Sequence, residues 1–147
     1  MTAKRFEMEQ VLRYRTEVER IRKLEFMAAK QAHEHACDRL RKEEELIDSL
    51  SKEFSDCQGA LNNIEDLRLY ADFFVHKREE IKDRREHIHR LDGVMNESRE
   101  TLLDATKDKK VLESLKDKKA KEFRLAMSRK EQSFMDEIAV QKKENPR

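Results

Sequence analysis

The sequence predicts an all-α fold: a long antiparallel two-helix coiled-coil hairpin with an overhanging C-terminal helix. Three observations predict it. Charged residues make up 44% of the 147 positions and hydrophobic residues only 37%, too few to wrap a thick core. Helix breakers are scarce, with two glycines and one proline in all. The apolar residues recur at steps of three and four, the spacing that puts them on one face of a helix.

The first helix is expected at about residues 5–58. Val11, Tyr14, Val18, Ile21, Ala28 and Ala32 start its stripe, and Ala36 and Leu40 continue it in steps of four. Such a run of fours drifts toward a longer repeat and should unwind the supercoil locally. Ile47, Leu50, Phe54, Cys57, Leu61 and Ile64 then alternate three and four without a miss, as a coiled-coil seam does. Gly59, Asn62 and Asn63 punctuate the chain, and Asn62 with Glu65 three residues on has the spacing of a capping box. These signals place the tip of the hairpin at about 59–66. The second helix, about 67–143, carries the seam Leu67, Tyr70, Phe74, Lys77, Ile81, Arg84, Ile88, Leu91, Met95, Ser98, Leu102, Ala105, Lys109 and Leu112, of which ten are apolar. The phase runs straight through Gly93, which is therefore read as a helical glycine costing about 1 kcal/mol against alanine.

Two long amphipathic helices joined by a short loop fold antiparallel. With the tip near residue 62 or 63, facing residues have numbers that add to about 125, so Phe6 faces the region of Lys119. Each helix is then roughly 80–110 Å long at its rise per residue. Everything after about residue 120 overhangs, including a further stripe of Phe123, Met127, Phe134 and Ile138. An apolar stripe with no helix left in the chain to cover it calls for a partner. Pairing with a second tail, or a frayed end, is the alternative. Charge is uneven as well. Residues 43–72 hold nine acids and two bases, while residues 107–130 hold ten bases and four acids. This is either a plain solvated surface or two segments made for different partners.

Several function classes are excluded. A net charge of +1 gives no general attraction to nucleic acid, and the basic segment lacks interleaved aromatics. No apolar run approaches the roughly 18 residues that span a bilayer, and no apolar stretch follows the basic N-terminus as in a secretory signal. Cys37 and Cys57 would lie about 30 Å apart on one helix and cannot bridge, which suits a reducing cytoplasm. His33 and His35, like His87 and His89, point to different sides of a helix and chelate poorly. Cys37 and His89 fall side by side in the expected register, yet a metal needs three or four convergent ligands. There is no phosphate loop, no nucleophile elbow and no pocket to tune a carboxylate. No catalytic residue, metal or cofactor is expected.

A family resemblance rests on a set of short motifs. The N-terminal region reads Phe6-Glu-Met-Glu-Gln-Val-Leu-Arg-Tyr-Arg15, and Leu67-Arg-Leu-Tyr70 follows the tip with Phe73 close behind. Toward the C-terminus come Val111-Leu-Glu-Ser-Leu-Lys116, Glu122-Phe-Arg124, Arg129-Lys-Glu-Gln132 and Asp136-Glu-Ile-Ala139. In this order and chain length the sequence resembles the FliJ family of flagellar type III export proteins over essentially its whole length. The stretch Ala28–Glu45 carries no signature beyond the seam. The resemblance implies a coiled coil similar to the stalk subunit of rotary ATPases. Its joined termini enter the hexameric ring of the flagellar export ATPase and promote ring assembly and activity. It also implies contact with the cytoplasmic domain of the membrane export gate and handling of export chaperones. The expected location is the cytoplasm, peripherally at the inner membrane of the flagellar base, with neither membrane insertion nor nucleic acid. The ring contact would use Phe6, Val11, Phe123, Met127, Phe134 and Ile138, with Lys118, Lys119, Arg124 and Lys130 supplying charge. The gate contact would use Tyr70 and Phe73 with Leu46 and the nearby Phe54. Tyr70 also occupies the seam, where it equally serves packing. Two other readings remain: the stalk of a virulence-type injectisome, and a generic coiled-coil scaffold or adaptor.

Overall fold

The structure, a computed structural model, describes residues 5–57 and 63–145. Two helices hold nearly all of them, α1 (Glu9–Cys57) and α2 (Ile64–Glu144), and the described residues form no strand. The expected all-α class is borne out.

Each helix begins where local chemistry satisfies its first amides. Before α1, the Glu9 N–H donates to the Phe6 carbonyl at 3.2 Å and the Leu12 N–H to the Met8 carbonyl at 2.9 Å. Glu9 then sits in the first turn, where the positive end of the helix favours a carboxylate. The helix therefore starts at Glu9 and not near residue 5. α2 begins at Ile64, three residues ahead of expectation, because the Asn63 side chain caps it: its Oδ1 accepts from the Glu65 N–H at 3.1 Å. That amide belongs to Asn63 and not to a capping box built on Asn62. Gly59, Leu61 and Asn62 themselves lie outside the described residues, while the last part of the expected tip, Ile64 to Asp66, is already helical. Lys142 and Lys143 complement the opposite end of α2. Gly93 is helical, with no positive φ, and nothing lies within 4 Å of where a Cβ would stand.

The helices pack on one another in two compact units, Ile21–Leu102 and Met1–Arg20 with Leu103–Arg147. In the first of these, every seam residue expected on α2 from Leu67 to Leu102 is half-buried or buried. Its α1 partners are Phe26, Ala29, His33, Ala36, Leu40, Glu43, Ile47, Leu50 and Phe54, which alternate three and four throughout. His33 Nε2 lies 3.8 Å from Asp92 Oδ1, and their numbers add to the expected 125. The guanidinium of Arg99 stands over the Phe26 ring at 5.5 Å. In the other unit Leu12, Ala105 and Leu112 are buried, and Glu9 meets Lys116 at 2.9 Å, again adding to 125. Both units are thus antiparallel.

One expectation about α1 is corrected. Val11, Tyr14, Ile21, Ala28 and Ala32 are exposed, Tyr14 at 65%. The seam runs one or two residues beside them, through Leu12, Arg15 and Glu19 in one unit and from Phe26 to Leu40 in the other. The steps of four that suggested a drifting repeat come from following apolar residues alone. Polar residues keep the heptad because α2 answers them. Lys109 Nζ sits 3.0 Å from Glu19 Oε1, and Lys77 Nζ sits 3.1 Å from Glu43 Oε2, with Arg84 3.8 Å from the same carboxylate. Glu80, 3.0 Å from Lys77, and then Glu43 push the Lys77 ammonium pKa up, as Glu19 does for Lys109. Lys77 holds Glu80 below the usual carboxylate value, and Lys116 does the same for Glu9. A buried charge is tolerated only with such a partner.

Candidate functional site

Two surfaces collect the residues that the sequence singles out. The first lies where α1 begins. Glu9, at the start of α1, meets Lys116, yet α2 continues to Glu144. Phe6, half-buried, precedes α1 by one turn, and Val11 is exposed on its first turns. Beyond Lys116, α2 carries Phe123, Met127, Phe134 and Ile138 at steps of four, seven and four. On a helix these steps keep all four within one narrow stripe. Phe134 is 63% exposed, and the other three are half-buried, as side chains lying back over their own preceding turn are. Lys119, Arg124 and Lys130 are exposed beside them, Lys118 is exposed on the opposite side of the helix, and Arg124 Nε donates back to the Ala120 carbonyl at 3.4 Å. Met135, 64% exposed, widens the stripe on one side. It stands three residues before Ile138, and sequence spacing passed over it because its neighbour Phe134 already carried the stripe.

The second surface lies in the unit Ile21–Leu102, near the ends of both helices that flank the undescribed loop. Its centre is a ring cluster. Phe54 packs on Tyr70 with centroids 5.1 Å apart and edge-on to Phe74 at 6.0 Å, and Phe73 meets Phe74 at 6.0 Å. Phe54 and Tyr70 are therefore seam residues that hold the helices together. Phe73 is 37% exposed, with Lys77 Nζ 5.8 Å above its ring, and Leu46 is 45% exposed. Each of these two immediately precedes a seam residue, Ile47 and Phe74. In an antiparallel pair, positions of that kind on the two helices flank the seam on the same side. The complementary rule holds on the other flank, where Glu44 and Arg85, each just after a seam residue, pair at 2.9 Å. Leu46 and Phe73 thus share one face, with the ring cluster beneath it. Leu69, 68% exposed, is one helical turn from Phe73 and extends the apolar area.

The remaining candidates assemble nothing. Cys37 Sγ lies 3.9 Å from His33 Nε2 on its own helix, while His35, His87 and His89 are exposed. Among the described residues no group of three or more His, Cys, Asp or Glu is placed to hold a metal ion. A shallow open groove in the same unit is lined by Glu44, Ile47, Asp48, Arg78, Ile81 and Arg85, without enclosed apolar walls. No helix is long and apolar enough among the described residues to cross a membrane. The two surfaces present exposed apolar and charged side chains.

The family described as Flagellar FliJ protein matches residues 4–146. No curated protein and no solved structure matches.

Proposed function

The chain belongs to the FliJ family, and from that premise we propose that it is a stalk component of the flagellar type III export apparatus, binding the export ATPase ring and linking it to the export gate. The single observation that carries this reading is the stripe of Phe123, Met127, Phe134 and Ile138 on the part of α2 beyond the start of α1. A helix that leaves its partner and still carries an apolar face, flanked by Lys119, Arg124 and Lys130 and with Lys118 on its opposite side, suits insertion into a ring lumen with acidic walls. In this reading the tail and the neighbouring Phe6 and Val11 contact the ring and favour its hexameric assembly. The face bearing Leu46 and Phe73 binds the cytoplasmic domain of the gate, with Phe54 and Tyr70 fixing its geometry from below. Export chaperones use the same molecule in exchange. The chain itself works in the cytoplasm, held at the membrane only through the gate.

The family premise favours the flagellar system over an injectisome or an unrelated scaffold. The test is the double variant Phe134→Asp/Ile138→Asp. Binding to the export ATPase from the same organism is expected to be lost, while far-ultraviolet circular dichroism stays that of the parent. Binding that survives both substitutions would remove the tail stripe from the ring contact.

A further inference from the structure

The tail of α2 is complementary to itself, and we infer that in the free protein it pairs with the tail of a second copy of this chain, antiparallel and centred near Met127. The charge along the tail is the first argument. Residues 116–130 hold seven bases, Lys116, Lys118, Lys119, Lys121, Arg124, Arg129 and Lys130, against the acids Asp117 and Glu122. Residues 131–141 hold Glu131, Asp136 and Glu137 and no base. Two such tails laid parallel set like charge on like. Laid antiparallel, they set the basic half of each on the acidic half of the other, and the pairing closes as a two-fold dimer with no surface left to propagate.

The helical spacing supplies the register. Taking the stripe Phe123, Met127, Phe134, Ile138 as the contact line, Arg124 and Glu131 fall on one flank, and Lys119 and Glu137 on the other. A two-fold axis brings residues of the same flank together. Centred near Met127, it sets Arg124 against the second copy's Glu131, and Lys119 against the second copy's Glu137, each pair occurring twice. Met127 then meets its own copy, and Phe134 lies over the turn from Ala120 to Phe123. Centring the pair between residues 130 and 131 instead would set Lys130 on Lys130 and Glu131 on Glu131, so that register is rejected. These side chains are exposed or half-buried as the structure stands, so pairing needs no rearrangement of α2. The pairing covers the stripe assigned above to the ATPase ring. If that assignment holds, the dimer is a masked form of the chain, and self-association and ring binding exclude each other.

The test is the molar mass of the purified full chain by sedimentation across the micromolar range, in low salt. The parent is expected to rise from 17.7 kDa toward twice that mass as concentration increases. The half-swap Lys119→Glu/Arg124→Glu is expected to stay at the single-chain mass. Adding Glu131→Lys and Glu137→Lys to the same chain reverses both pairs and is expected to restore the dimer. Circular dichroism, unchanged across the three, excludes a folding defect. A parent that stays at the single-chain mass overturns the inference, as does a half-swap that dimerises like the parent or a full swap that does not. Ring binding is measured separately, so a parent that stays monomeric and binds the ring sinks the self-pairing alone, and a parent that dimerises yet fails to bind the ring at concentrations where it is monomeric sinks the ring reading alone.

Discussion

At the scale of single residues, the seam is held by charges as much as by apolar side chains. Lys77 is half-buried between Glu43 and Glu80, and Lys109 between Glu19 and Glu113. Each cation sits where a heptad wants leucine, and each has an acid waiting on or beside the facing seam. Replacing Glu43 by alanine leaves Lys77 and Arg84 short of their shared acid in the seam. The thermal midpoint is expected to fall, and by more than for Glu45→Ala, whose side chain is exposed with Arg41 as its contact on the same helix. Equal effects would show that the seam acid contributes no more than a surface one. Gly93 makes the opposite case. It is helical, its Cβ position is open, and no neighbour needs the space. Gly93→Ala is expected to stabilise the fold by about 0.5–1 kcal/mol, read as a raised midpoint in thermal melting. A lowered midpoint would mean that the glycine serves a contact or a bend in this helix.

At the scale of the helices, the same ion pairs set the pH range of the fold. Glu9 and Glu80 have carboxyl pKa values held below the ordinary 4.5 by Lys116 and Lys77. Their contribution is complete above that value and is lost as pH falls through the lowered one. Lys77 and Lys109 are raised above the ordinary 10.5 by their glutamates, so their contribution is complete below it and lost as pH rises further. Stability is therefore expected to form a plateau between these limits and to decline in acid below about 4.5 and in alkali above about 10.5. A melting midpoint with no plateau between these limits would show that the seam ion pairs do not set the pH range of the fold.

The seam of α2 was legible from Leu67 to Leu112 because its apolar residues dominate the heptad and its polar seam positions are isolated. The N-terminal half of α1 was not. There the seam passes through Arg15, Glu19 and His33 while Val11, Tyr14 and Ile21 point outward, so a reading by hydrophobicity slides onto the wrong face. What rescues the true phase is a partner on the other helix, such as Lys109 for Glu19, and a pairing of that kind becomes visible only once the register is known. The start of α2 was missed for a similar reason. Two adjacent asparagines offer the same cap, and only the backbone shows Asn63 in use. Of the candidate surfaces, the tail stripe was traced from spacing through Phe123, Met127, Phe134 and Ile138, without the exposed Met135 beside it. The second face was legible only in part, since Phe54 and Tyr70 prove to be packed against each other and the exposed Leu69 lies off the seam.

At the scale of the whole molecule, the proposed function uses the basic segment 107–130 and the apolar tail for one partner, and the face of Leu46 and Phe73, within the acidic segment 43–72 and just beyond it, for another. Attraction through a cluster of exposed lysines is screened by salt over a Debye length of about 8–10 Å at ordinary ionic strength. Ring association is expected to slow as salt rises, with the on-rate changing more than the off-rate. A salt-independent on-rate would leave the lysines without a role. The central claim meets its most direct test in a titration of the purified chain into the export ATPase from the same organism, with hydrolysis rate and hexamer formation followed together. Stimulation is expected to saturate near one chain per ring. A chain that neither binds the ring nor changes its rate at any ratio would contradict it and leave a coiled-coil scaffold in its place.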